Sequence, residues 1–153
     1  MLKYVKQIRE LDLIEKELNY IDAGLLAFSS EEEEKIIHLP STFLYHDKNI
    51  YLFIFSEEIL EKVVFGAPAR FTTLRTDKHK RNKKDTEHKY EFFSVSVKGS
   101  VKKVDDPKTF DEVKKKYLDK YTSNSSDEEN TLSMDNLIII DSEEIQALEE
   151  KGG

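Results

Sequence analysis

The 153-residue chain contains no cysteine. That absence excludes a disulfide framework, a thiolate metal site and a cysteine nucleophile together. Glycine and proline are scarce, five and three residues, so a glycine-rich phosphate loop has little to be built from. Neither GxGxxG nor a GxxxxGKS or GxxxxGKT loop occurs. No GxSxG elbow supports a serine hydrolase. The histidines His38, His46, His79 and His88 include no i, i+4 pair of the kind a helical metal site uses, and no metal is expected. No uninterrupted apolar run approaches the roughly 20 residues of a spanning helix. The opening MLKYVKQIRELD carries charges where a signal peptide has its apolar block. A cytoplasmic protein with no membrane partner is the expectation.

What is present is charge. Charged residues make up 36% of the chain and apolar residues 38%, which leaves a small core under a heavily charged surface. The 24 Lys+Arg against 31 Asp+Glu give a net charge of -7, and no nucleic-acid partner is expected because such binding is dominated by phosphate neutralisation. The one basic run, Thr76 to Lys89, holds Lys78, Lys80, Arg81, Lys83, Lys84 and Lys89 against Asp77, Asp85 and Glu87. It lacks interleaved aromatic residues on which bases stack, so a solvated loop is expected.

No internal repeat is visible, and one domain over residues 1–153 is expected, with mobile loops at 76–89 and 122–135. Asp12 and Glu15 have capping-box spacing, and Ile14, Leu18 and Ile21 recur at helical spacing, predicting a helix that Gly24 stops. Leu25 to Phe28 read as a short buried strand, and the four glutamates after Ser29-Ser30 as a solvated turn. Residues 36–45 and 50–55 are strand-like, joined by turn chemistry at His46-Asp47-Lys48-Asn49. The second is apolar on both faces, with Ile50, Leu52 and Ile54 on one side and Tyr51, Phe53 and Phe55 on the other. Both sides need cover, and a second copy of the chain or the helices would supply it.

Ser56 is placed to cap a short helix whose buried side is Ile59, Leu60, Val63 and Val64, ended by Gly66 and Pro68. Ala69 to Arg75 predict a strand. Residues 90–104 alternate, with Phe93, Val95 and Val97 on one face and a bend or bulge at Gly99. Asp106 caps a helix with Pro107 at its first position and a stripe of Phe110, Val113, Tyr117 and Tyr121. Asn136 to Asp141 predict a last strand, and Ser142 the cap of a terminal helix carrying Ile145 and Leu148. Long antiparallel strands punctuated by helices suggest a small barrel with helices at its ends and sides.

The strand order, the pair HLPSTFLYHDKNIYLFIF, the helix ending in APARF, and YEFFSVSVKGSVKKVDDP together resemble the FMN-binding split barrels, which include pyridoxamine-phosphate oxidase and the nitroimidazole-resistance flavoproteins. Ser94-Val95 followed by Gly99 matches the SVxxxG strand of the second branch. The resemblance implies a mainly β fold with helices (α+β), a six-stranded antiparallel split β-barrel flanked by short helices. It also implies a homodimer with FMN in the clefts between subunits. The residues it implies at the cofactor are His38, Ser41, Thr42, Phe53, Lys62, Arg70 and Ser94.

Pairing strands two and three of the family without gaps puts His38 at the phosphate arginine and Phe43 at the lysine. Ile54 falls at the threonine, and Glu58, Ile59 and Leu60 at the Ser-Arg-Lys run. Of these, only a protonated His38 attracts a phosphate, unless a slipped pairing brings in Lys62 or Arg70. The implied function is that of a flavin-dependent oxidoreductase of unknown substrate. The alternative is a cofactor-degenerate dimeric split barrel acting as a non-catalytic binding protein.

Overall fold

The computed structural model describes residues 2–30, 35–77, 90–121 and 132–152. Its elements in chain order are β1 (Leu2–Ile8), α1 (Leu11–Tyr20), β2 (Ala23–Ser29), β3 (Ile36–Thr42), β4 (Leu44–His46), β5 (Asn49–Phe53), α2 (Glu57–Glu61), β6 (Pro68–Asp77), β7 (Tyr90–Lys103), α3 (Pro107–Tyr121) and β8 (Leu137–Gly152). The strands form one antiparallel sheet in the order β3-β2-β6-β7-β8-β5-β4, with β1 also on β8. β7 pairs with β8 along nearly its whole length. The other edge of β8 is shared, residues 137–140 with β5 and 147–152 with β1. This divided edge curls the sheet into a half-barrel, the expected α+β split barrel with eight described strands rather than six.

Two differences account for the count. The predicted 36–45 strand breaks at Phe43, whose N–H donates to the Tyr121 hydroxyl at 3.0 Å and whose carbonyl accepts from Lys120 Nζ at 3.2 Å. Side chains of α3 therefore satisfy the backbone there, in place of a neighbouring strand. β1 has no counterpart in the sequence reading, because its alternation is diluted by lysines and only its pairing to β8 makes it a strand.

Local signals are realised at several joints. Asp47 and Lys48 take φ of 49° and 63°, the two-residue turn that suits a twisted hairpin. Ser56 Oγ accepts from the Ile59 N–H at 3.3 Å, and Gly66 follows α2 at φ 89°. Asp106 accepts from the Thr109 hydroxyl at 2.7 Å and from the N–H groups of Lys108 and Thr109, and these bonds, the hydroxyl's first, hold its carboxyl below its ordinary pKa. Gly99 stands at a register shift between β7 and β8, the expected bulge.

α1 starts at Leu11 with Glu10 as an N-cap that makes no side-chain capping bond, so Asp12 lies inside the helix rather than capping it. Ile21, not Gly24, ends it. Gly24 belongs to β2, where an added Cβ would come within 2.5 Å of the Phe71 ring. The terminal helix from Ser142 does not form, because β8 continues to Gly152 between β7 and β1, and the Ser142 N–H donates to Asn49 Oδ1 at 3.0 Å. Of the two predicted loops, Thr76 and Asp77 belong to β6 and Leu132 is buried, while 78–89 and 122–131 lie outside the described residues.

Two apolar clusters hold the fold. One fills the half-barrel with Leu26, Phe28, Phe43, Ile50, Leu52, Phe71, Val95, Val97 and Ile140. The other packs Leu44, Tyr51, Phe53 and Leu137 against Val113 and Tyr117 of α3. Both faces of β5 are thus covered within one chain, Tyr51 and Phe53 by α3, so β5 does not need a second copy for its cover. Phe55 is 56% exposed rather than buried.

Candidate cofactor-binding face

Alternation along the strands assigns each side chain to a face. Leu26, Phe28, Phe71, Val95 and Val97 point inward and are buried. Their neighbours Leu25, Ala27 and Ser29 on β2, His38 and Pro40 on β3, Arg70, Thr72 and Leu74 on β6, and Ser94, Ser96 and Lys98 on β7 make the outer face. The register orders that face into rows. His38 is opposite Ala27, Ala27 opposite Arg70, Arg70 opposite Lys98, and Lys98 opposite Glu144. The next row is Pro40, Leu25, Thr72, Ser96 and Gln146, where Thr72 Oγ1 donates to Ser96 Oγ at 3.5 Å. A third joins Leu74, Ser94 and Leu148. A cavity of about 180 Å³ opens beside the first row, lined by Ala27, Ser29, Ile36, Pro68, Arg70 and Lys98 among others.

The expected cofactor residues divide accordingly. His38, Arg70 and Ser94 share the outer face. Thr42 bonds through Oγ1 to the Tyr117 hydroxyl, and Ser41 donates to the Thr42 carbonyl at 2.8 Å, so both hydroxyls are engaged at the junction with α3. Phe53 is 2% exposed, with its ring centre 4.9 Å from that of Tyr117, and serves the core. Lys62 lies 3.6 Å from Glu58 in a surface i, i+4 pair. Sequence reasoning missed Lys98, Thr72 and Ser96. The alternation Ser94, Ser96, Lys98 was the available signal, but only the β6–β7 register sets Lys98 beside Arg70.

The positions that the resemblance gives to the flavin phosphate do not fit a dianion. Phe43 is fully buried with its ring centre 4.7 Å from that of Phe71, Ile54 is 2% exposed, and Ile59 and Leu60 pack on the core. Glu58 is exposed and acidic. An anion at this end of α2 would meet apolar side chains and a carboxylate.

Two further polar clusters lie elsewhere. Between α1 and strands β6 and β7, Arg75 Nε donates to Glu17 Oε1 at 2.8 Å beside a cavity of about 460 Å³ lined by Leu13, Lys16, Tyr20 and Phe93 as well. At the end of α3, Lys120 Nζ donates to the carbonyls of Ile21 (2.8 Å) and Phe43 (3.2 Å) and lies 4.0 Å from the Phe43 ring centre. Burial lowers its pKa to about 8, against the opposing pull of Asp22. Burial pushes the neighbouring Tyr121 hydroxyl up; it donates toward the carbonyls of Phe43 and Asp22 at 2.6 and 2.7 Å. Among the described residues no three His, Asp or Glu side chains are grouped to hold a metal ion, and no helix is long and apolar enough to cross a membrane.

A family model described as pyridoxamine 5'-phosphate oxidase matches residues 18–149. Comparison with the curated proteins finds no match. Among solved structures, a proposed 5-nitroimidazole antibiotic resistance protein from Bacteroides thetaiotaomicron is 17% identical, with 99% of this chain and 92% of that chain covered at a TM-score of 0.70. An FAD-binding protein from Mycobacterium smegmatis is 12% identical, covering 95% and 98% at 0.59. An FAD-binding protein from Mesorhizobium loti is 16% identical, covering 96% and 99% at 0.58. At these identities the likeness is one of fold.

Proposed function

Because the chain belongs to the pyridoxamine 5'-phosphate oxidase family, we propose that it binds a flavin, FMN in particular, on the outer face of its sheet and acts as a homodimeric flavin-dependent oxidoreductase. The observation that carries this reading is the mixed chemistry of that face. Thr72, Ser94 and Ser96 offer hydroxyls in adjoining rows, while Leu25 and Leu74, 39% and 58% exposed, offer apolar surface between them. A planar heterocycle with polar edges needs both kinds of contact. Bound flavin would supply the electron chemistry, and the chain's part is to hold and orient the ring and shield it from water. A second copy laid over Leu25, Ile36 and Leu74 supplies that shield and removes exposed apolar area from water.

The replaced phosphate positions favour a second reading, a dimeric split barrel that has lost the cofactor and binds another ligand without catalysis. The spectrum of protein taken from cells without added cofactor separates the two, followed by titration with riboflavin and FMN. Flavin absorbance, or saturable quenching of added flavin fluorescence, is the expected result. Colourless protein that ignores both compounds would overturn the flavin reading in favour of the second.

A further inference from the structure

We propose that Arg70 and Lys98, with His38 completing the row across Ala27, form a phosphate-monoester site on the outer face that takes the place of the apolar α2 end; the identification of the ester as that of a flavin rests on the reading above. Arg70 and Lys98 stand directly opposite each other on neighbouring antiparallel strands. Like charges so placed repel, and among the described residues neither has an ion-pair partner. Two carboxylates of β8 lie on this side, Glu144 next in the row beyond Lys98 and Glu143, which accepts from Ser100 Oγ at 3.1 Å one row away. An anion seated between the two cations removes the repulsion.

The surroundings suit such a guest. Ala27 projects only a methyl group between His38 and Arg70, which stand two strand spacings apart, about 10 Å. The cavity of about 180 Å³ beside Arg70 and Lys98, lined also by Ala27, Phe28, Ser29, Ile36, Pro68 and Ala69, has the volume of about six waters at roughly 30 Å³ each, which is room for a phosphate group. The guanidinium fork matches phosphate oxygens two at a time, the ammonium adds a point charge, and together they balance a group carrying about -1.5 to -2 at neutral pH. A carboxylate would neutralise only one of them. Ser96 and Ser94 lie one and two rows further along β7, about 7 and 14 Å at 3.4 Å per residue. A ligand anchored by phosphate therefore extends over the hydroxyl-bearing rows.

Two titrations of the full chain test this. Inorganic phosphate added to ¹⁵N-labelled protein should shift the amides of Ala27, Arg70 and Lys98 saturably, and the Arg70→Gln, Lys98→Gln double variant should lose those shifts while Lys62→Gln keeps them. FMN should bind the wild type more tightly than riboflavin by about ten-fold or more, and the double variant should bring the ratio near one without changing riboflavin affinity. Phosphate shifts confined to amides away from the row, or an FMN preference that survives the double substitution, would overturn the site. Phosphate shifts at the row with neither flavin bound would uphold the site and overturn the flavin reading alone. If the double variant loses amide dispersion, each single substitution is read instead, and at least one must lower the FMN preference.

Discussion

Gly99 is the residue on which the longest strand pairing turns. At the β7–β8 bulge a Cβ would sit 2.0 Å from the Asp141 carbonyl oxygen, and that oxygen belongs to backbone that cannot rotate away. Gly99→Ala should destabilise the fold by about 3 kcal/mol or more, the upper range for overpacking, read as a lower urea midpoint. Lys120 makes a different prediction. Its folded pKa of about 8 lies below its ordinary 10.5, so between these values the unfolded chain binds more protons and stability rises with pH. Below pH 8 both states are protonated and the cost of burying the charge is fully present. Above about 10 the raised tyrosines oppose this, since burial pushes Tyr45 up to about 12 and raises Tyr121 as well, and unfolding then releases their protons. Urea unfolding at a series of pH values should show stability climbing from 8 and falling beyond 10, and Lys120→Met should lose the climb.

Among the elements, α3 and β8 show how differently local sequence can speak. The α3 stripe was legible because Asp106, Pro107 and four apolar positions at helical spacing agree, and the stripe packs where it must, on Tyr51 and Phe53. Phe53→Ala should therefore cost about 3 to 5 kcal/mol in chemical denaturation, a core penalty that holds whether or not any cofactor is added. In β8 the stretch after Ser142 is rich in helix formers, yet pairing on both edges outweighs that preference, which is worth only tenths of a kcal/mol per residue. Backbone chemical shifts should report extended structure through residues 143–151. Helical shifts there would refute the pairing with β1 and β7.

At the scale of the whole molecule, the exposed Leu25, Ile36 and Leu74 share one sheet face with the proposed site, so the proposed assembly and the proposed ligand site would use the same surface. Sedimentation at micromolar concentration should find twice the 17.9 kDa chain mass, and Leu74→Asp should return the single-chain mass while leaving the buried clusters intact. A wild-type monomer would remove the shielding role given to the second copy. Elements with local signals were legible in the amino-acid order alone: the Asp47-Lys48 hairpin, the caps at Ser56 and Asp106, the alternation of β7 and the bulge at Gly99. That order also showed that Phe43, Ile54, Glu58, Ile59 and Leu60, the positions the resemblance gives to a flavin phosphate, carry no positive charge. It took the folded arrangement to make strands of β1 and the end of β8, to lay α3 over β5, and to set Arg70 and Lys98 rather than Lys62 in the row with His38. The physical reason is that strand register relates residues distant in the chain, here 38, 27, 70 and 98. No periodicity within one segment encodes which residue of another lies opposite.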